Sequence, residues 1–161
     1  MPAEDFFDGF PDFELNPNVP VSEEFKRLAR KRQWKRGSKT WKKMWNRFIN
    51  LEYDHHFGDN KLAGLADWQE LCEELDLEGP FTSIKQCRKA VSQVHVNIVD
   101  LLESRQLKHR NRGESRHIEH KPKKYPSVAA LSRYTRETHR FFARAKAKQD
   151  KLLKVLLRRL V

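Results

Sequence analysis

Residues 82–101 read TSIKQCRKAVSQVHVNIVDL, and the reading of this stretch decides the fold. Ser83 followed three residues later by Gln86 has the pattern of a capping box, in which two side chains satisfy exposed backbone amides where a helix begins. Behind it, Ile84, Cys87, Val91, Val94, Ile98 and Leu101 recur at spacings of 3 and 4, the period of one apolar helix face. The spacing predicts a single helix over 83–108, about 38 Å long at 1.5 Å rise per residue. Lys85, Arg88 and Lys89 fall off the seam, toward solvent or a ligand.

The same signals recur to either side. Ser22 precedes EEFKRLARKRQW, with acids in the first turn and cations beyond, the order a helix dipole favours. RGS breaks that helix, Gly37 offering a C-terminal cap and Ser38 a new N-cap. Trp41, Met44, Trp45, Phe48, Ile49 and Tyr53 then follow helical spacing until Gly58. A shorter helix, capped by Asp67, carries Trp68, Leu71, Cys72 and Leu75 on one side. Ser127 opens a C-terminal helical region that ends in Leu152, Val155, Leu156 and Leu160. With six glycines and seven prolines among 161 residues, long segments run unbroken, which favours helices over many short strands. The expected fold is all-α: a compact bundle of about five helices in one domain.

Four regions are predicted. Residues 1–21 form an acidic aromatic arm, in which Phe6, Phe7, Phe10 and Phe13 alternate with acids and Pro17 and Pro20 enforce extended backbone. Burying each phenylalanine is worth about 1.5–3 kcal/mol, so the arm is expected to dock on the helices or await a partner. Residues 22–108 form the helical core. Residues 109–126, nearly devoid of apolar side chains, read as a mobile basic linker. Residues 127–161 pack on the core, their leucines inward and their lysines outward, in preference to lying on a membrane surface.

Charge is distributed in blocks. The formal net charge is +11, yet residues 1–25 hold seven acids and no Lys or Arg, and residues 26–47 hold eleven Lys or Arg and no acid. Residues 48–82 return to nine acids against Lys61, and from Ser83 onward 21 cations face six acids. Such blocks create separate fields, cationic ones seeking phosphates or an acidic partner. Compensation between blocks within the chain is the alternative. No apolar run reaches the roughly 18–20 residues that span a bilayer. The opening MPAEDFFDGF lacks the basic start of a signal peptide. Cys72 and Cys87 both lie in apolar helical patterns and read as free core thiols. The expectation is an intracellular protein, nuclear in preference to cytoplasmic.

Catalytic and metal signatures are weak. His55 and His56 are adjacent and cannot share an ion from one helix face, and His117 and His120 lack further ligands at metal spacing. No glycine-rich phosphate loop or nucleophile elbow occurs. The expectation is therefore a non-enzymatic binding protein with no cofactor and no metal. Nucleic acid is the leading partner. Its phosphates would meet Lys35, Arg36, Lys39, Lys42 and Lys43, then Lys85, Arg88 and Lys89, with Arg110, Arg112 and Arg116 adding contacts from the linker. The alternative is a protein–protein adaptor, docking a partner helix through the 84–101 seam or the C-terminal leucines. A weaker one is a small-molecule pocket among Trp34, Trp41, Trp45 and Trp68.

WQELCEEL followed by SIKQCRKAV resembles the second and third helices of Myb/SANT-like domains. The likeness rests on Trp68, Leu71, Cys72 and Leu75, and on the Gln86, Cys87, Arg88 step, with Val91 at the third tryptophan position and a first helix at 41–57. It implies three helices around an aromatic core, the third turning its cations into the major groove, and a transcription-related role. Over most of its length the chain also resembles small uncharacterised helical proteins of filamentous ascomycete fungi, through FFDGFPDFELNPNVPVSEEF, KTWKKMWNRF and LLKVLLRRL. That likeness implies a helical intracellular protein, and no activity comes with it.

Overall fold

The computed structural model describes residues 6–56, 63–110 and 121–157. The all-α expectation holds: the described residues form eight helices of six residues or more, a short helical turn at 6–8 and one pair of two-residue strands. They divide into two units, Met1–Gly58 and Asp59–Val161.

The first unit is built on aromatic rings. Helix α1, Val21–Lys31, is capped at Pro20, two residues before the expected cap; Ser22 is buried and does not cap it. Proline suits this place because a helix start needs no amide from it. Gln33 takes the left-handed conformation after α1 (φ 58°), and Gly37 (φ 80°) turns the chain into the next helix. There Ser38 caps as expected, its Oγ accepting from the Trp41 amide at 3.2 Å. Helix α2, Lys39–His56, follows. Phe25 of α1 meets Trp41, Trp45 and Phe48 of α2 at ring-centroid separations of 5.5, 5.1 and 5.2 Å.

The N-terminal arm completes this core. Extended backbone was expected, but residues 6–8 are helical, and amide bonds from Phe10 to Phe7 and from Phe13 to Phe10, each 2.9 Å, continue as successive turns. Coiling brings Phe6 to 5.4 Å and Phe7 to 5.8 Å from Phe48, burying neighbouring rings that a straight strand would point to opposite sides.

In the second unit, helix α3, Leu65–Glu74, is capped by Gly64, and Asp67 reaches back to the Gly64 amide at 2.8 Å; Asp67 is thus the third residue of the helix and not its cap. Helix α4, Ile84–Ser92, packs beside α3. Its capping box is present in shifted form: Ser83 Oγ accepts from the Gln86 amide at 3.2 Å, while Gln86 Oε1 accepts from the Thr82 amide at 2.8 Å.

The expected helix over 83–108 is interrupted. α4 ends at Ser92, strand β1 (His95–Val96) pairs antiparallel with β2 (Lys124–Tyr125), and helix α5 (Ile98–Arg110) starts afresh. Ser92 Oγ turns back to the Lys89 carbonyl at 2.6 Å, and Asn97 Oδ1 caps α5 by accepting from the Asp100 amide at 3.0 Å. Between them Val94 and Val96 are buried around a half-buried His95, a strand alternation of β-branched residues. Cys87, Val91, Val94, Ile98 and Leu101 remain buried, because a 3-4 spacing names inward positions without requiring one continuous helix.

Part of the expected linker is also anchored. Lys121 Nζ reaches Asp76 Oδ1 at 3.2 Å, Lys124 Nζ reaches the Asp76 carbonyl at 3.2 Å, and Pro122 is buried. The acidic end of α3 draws these lysines in. Ser127 caps helix α6, Val128–Thr138, as expected. The last segment is two short helices, α7 (Arg144–Gln149) and α8 (Lys151–Leu156). Buried Asp150 separates them by accepting from the Leu152 and Leu153 amides at 2.8 and 2.9 Å. Leu152, Leu153 and Leu156 are buried, and α8 packs against α4. Among the described residues no helix is long and apolar enough to cross a membrane.

Two ion-pair sets brace this unit. Arg105 of α5 grips Glu74 of α3 through Nε at 2.8 Å, with a second bond at 2.5 Å, and both residues are buried. Burial opposes the Arg105 charge, but the bond to Glu74 together with the charges of Glu74, Glu70 and Asp150 outweighs it, and its pKa is raised. Arg140 joins Asp100 and Glu103 at 2.6 Å each, and Tyr134 donates to Asp100 at 3.0 Å. Burial first, then that bond, raises the Tyr134 pKa.

Candidate nucleic-acid interface

The cations expected to meet phosphates fall into two groups, one in each unit. In the first unit, Lys35, Arg36, Lys39, Lys42 and Lys43 are all exposed. Lys39, Lys42 and Lys43 stand three and four residues apart on α2 and therefore share one helix face. Arg47, one further turn along, lies on the same face and is exposed. From Lys39 to Arg47 the row runs about 12 Å along the axis. Trp41, Trp45 and Phe48 occupy the opposite face and are buried. Helix periodicity thus orients the row outward, and the aromatic core holds it there.

This row stands against the local electrostatics of its own helix. The first turn of α2 contains no acid, although a helix N-terminus favours negative side chains by about 0.3–1 kcal/mol each. Lys39 with Lys43, and Lys43 with Arg47, are like charges at i,i+4, each pair costing about 0.2–0.5 kcal/mol. Among the described residues, no carboxylate forms an ion pair with Lys35, Lys39, Lys42, Lys43 or Arg47.

The earlier half of the basic block differs. Arg27 bonds Glu24 at 2.5 and 3.1 Å and also donates to the Glu14 carbonyl. Lys26 pairs with Glu23 at 3.0 Å. Asp12 meets Arg32 at 2.6 Å and Lys31 at 3.7 Å. Arg27 and Arg32 also lie over the rings of Phe13 and Phe10, at 4.2 and 4.9 Å. Compensation within the chain is therefore real as far as Arg32, and among the described residues it does not reach the α2 row.

In the second unit, Lys85, Arg88 and Lys89 share the exposed face of α4, with Cys87 and Val91 buried behind them. Arg88 sits 5.6 Å from the Trp68 ring centre, a cation–π contact that steadies it beside α3. Arg112 and Arg116, and the side chain of Arg110, lie outside the described residues.

The positions that carry the Myb/SANT-like resemblance, Trp68, Leu71, Cys72, Leu75 and Cys87, are buried between α3 and α4, whereas α2 belongs to the first unit. Cys72 and Cys87 are free thiols there, Cys72 Sγ lying 3.9 Å from the Cys87 carbonyl. Burial, with the neighbouring Cys87, pushes Cys72 up to about 12, so it behaves as a core residue and not as a nucleophile.

Among the described residues most of the apolar surface expected to serve an adaptor is buried, whereas Val155 is half-buried and Leu160 lies outside them. From Cys87 to Leu101 the seam is buried, as are the C-terminal leucines 152, 153 and 156; on the seam only Ile84 is exposed, at 39%. Trp41 and Trp45 are stacked at 5.4 Å and buried in the first unit, and Trp68 is buried in the second. Among the described residues no group of His, Cys, Asp and Glu is arranged to hold a metal ion.

No protein-family model, no curated protein and no solved structure matches the chain.

Proposed function

We propose that the protein is a non-enzymatic nucleic-acid-binding protein that grips the phosphate backbone with the outer face of α2. The observation that carries this reading is the row Lys39, Lys42, Lys43 and Arg47, flanked by Lys35, exposed and without acidic partners among the described residues. A row with only a stabilising role would mix signs, and this one works against its own helix dipole. A polyanion removes both penalties at once. Lys85, Arg88 and Lys89 supply a second group of phosphate contacts, and the Myb/SANT-like pattern of α3 and α4 favours DNA and a transcription-related, nuclear role. Contacts of these cations to phosphates position the protein on the backbone and carry no sequence information themselves.

The test is fluorescence anisotropy of the full chain with a labelled 20-base-pair duplex and its single strand. Neutralising about five phosphates gives a slope near −4.5 in log K against log salt, an affinity loss of several hundredfold between 50 and 200 mM. Absence of binding at 50 mM salt, or a slope near zero, would overturn the reading.

A further inference from the structure

A cavity in the second unit, lined by none of the cations of the α2 row or of α4, carries an inference of its own. It lies among the start of α5, the end of α6, residues 139–143 and the end of α8, and encloses about 270 Å³. Its walls are the apolar side chains of Val96, Ile98, Leu131 and Leu156, each at most 8% exposed. Phe141 stands at its edge and is 44% exposed.

The polar groups along the wall are largely committed. Asn97 Nδ2 donates to Thr135 Oγ1 at 3.2 Å and to the Arg140 carbonyl at 2.9 Å. The Arg140 guanidinium is held by Asp100 and Glu103 at 2.6 Å each. Neither of those acids lines the cavity, and the two charged residues that do, Arg140 and Arg144, are both cations. Arg144 is exposed and has no acidic partner among the described residues.

Size and charge together define an occupant. An apolar cavity of about 150 Å³ accepts a benzene ring, and this one is larger. An apolar body enters the space between Leu131 and Leu156, an aromatic one meets Phe141, and a single anionic group meets Arg144. We propose that this cavity binds a small monocyclic aromatic carboxylate, its ring inside and its carboxylate on Arg144.

The experiment is a titration of the isotopically labelled full chain, followed by amide chemical shifts, with 3-phenylpropanoate and its neutral analogue 3-phenylpropan-1-ol. The acid is expected to saturate with a Kd on the order of 1 mM, moving the Ile98, Leu131, Thr135 and Leu156 amides. The alcohol should bind about threefold more weakly, the scale of one exposed ion pair, and Arg144→Gln should abolish that difference. Leu131→Phe, which fills the space, should remove binding of both. Should that variant fail to fold, the Arg144→Gln comparison still decides, since Arg144 is exposed. Equal affinity for acid and alcohol in the unaltered chain, shifts confined to other regions, no saturation up to about 10 mM, or burial of Phe141 in a dimer by sedimentation would each overturn the proposal. None of these outcomes depends on nucleic-acid binding.

Discussion

The two halves of the basic block, residues 26–32 and 35–47, have the same sign and similar composition but opposite fates. The first half answers to acids within reach: Glu23 and Glu24 one turn away, and Asp12 on the docked arm. Most of the second half, from Lys39 on, follows the turn at Gly37, on a helix whose first turn has no acid. Net charge is therefore a poor guide to a binding surface. What matters is which cations the fold leaves without acids, and among the described residues these include Lys35 and the row from Lys39 to Arg47.

The comparison depends first on the arm being part of the core. Phe6 is 1% exposed and touches Phe25 and Phe48. Phe6→Ala is expected to cost the first unit about 3–5 kcal/mol, read as a lowered urea midpoint. A change below about 1 kcal/mol would mean that the arm is dispensable.

Next in size is charge reversal of the outer face. Lys39→Glu, Lys42→Glu and Lys43→Glu together should reduce duplex affinity at least about 100-fold at 100 mM salt, with circular dichroism unchanged because all three residues are exposed. Lys31→Gln with Arg32→Gln should change affinity by less than about threefold. Similar losses from both sets would erase the distinction between the halves.

The second unit supplies a contrast in pH dependence. The Cys72 pKa is raised from 9.0 to about 12, by burial first and the adjacent Cys87 second. Above pH 9 the unfolded chain loses this proton while the folded chain keeps it, so stability falls as pH rises between these values. The slope is at most about 1.4 kcal/mol per pH unit. Cys72→Ala should flatten that dependence in urea titrations, and an unchanged slope would dissociate the thiol from it.

The smallest expected effect sharpens the boundary itself. Asp12→Asn should cost under about 1 kcal/mol, as surface pairs do. It should raise nucleic-acid affinity about twofold by releasing Lys31 and Arg32. A larger gain would show the arm acting as a brake on binding.

Much of the fold was legible because apolar spacing reports burial directly. Phe25, Trp41, Trp45, Phe48, Trp68, Leu71 and Leu75 are all inside as expected. The break at 93–97 was less visible, since Val91, Val94 and Ile98 suit a helix seam and a strand crossing equally well. The turn-back of Ser92, the Val-His-Val alternation and the cap at Asn97 were the available signals. The Asp100–Arg140–Glu103 set escaped notice because its members are some 40 positions apart and only tertiary structure joins them. Of the candidate site, the row on α2 could be read from i, i+3, i+4 spacing. The division of the basic block could not, because it rests on where Asp12 lands.

The pairing of His95 with Tyr125 and of Val96 with Lys124 has a further consequence for the chain's integrity. It ties the chain after α5 to the chain before it, while α8 on α4 and the lysine bonds to Asp76 provide additional fastening. Residues 1–110 and 121–161 supplied as two separate polypeptides should therefore elute as one particle and separate only in denaturant.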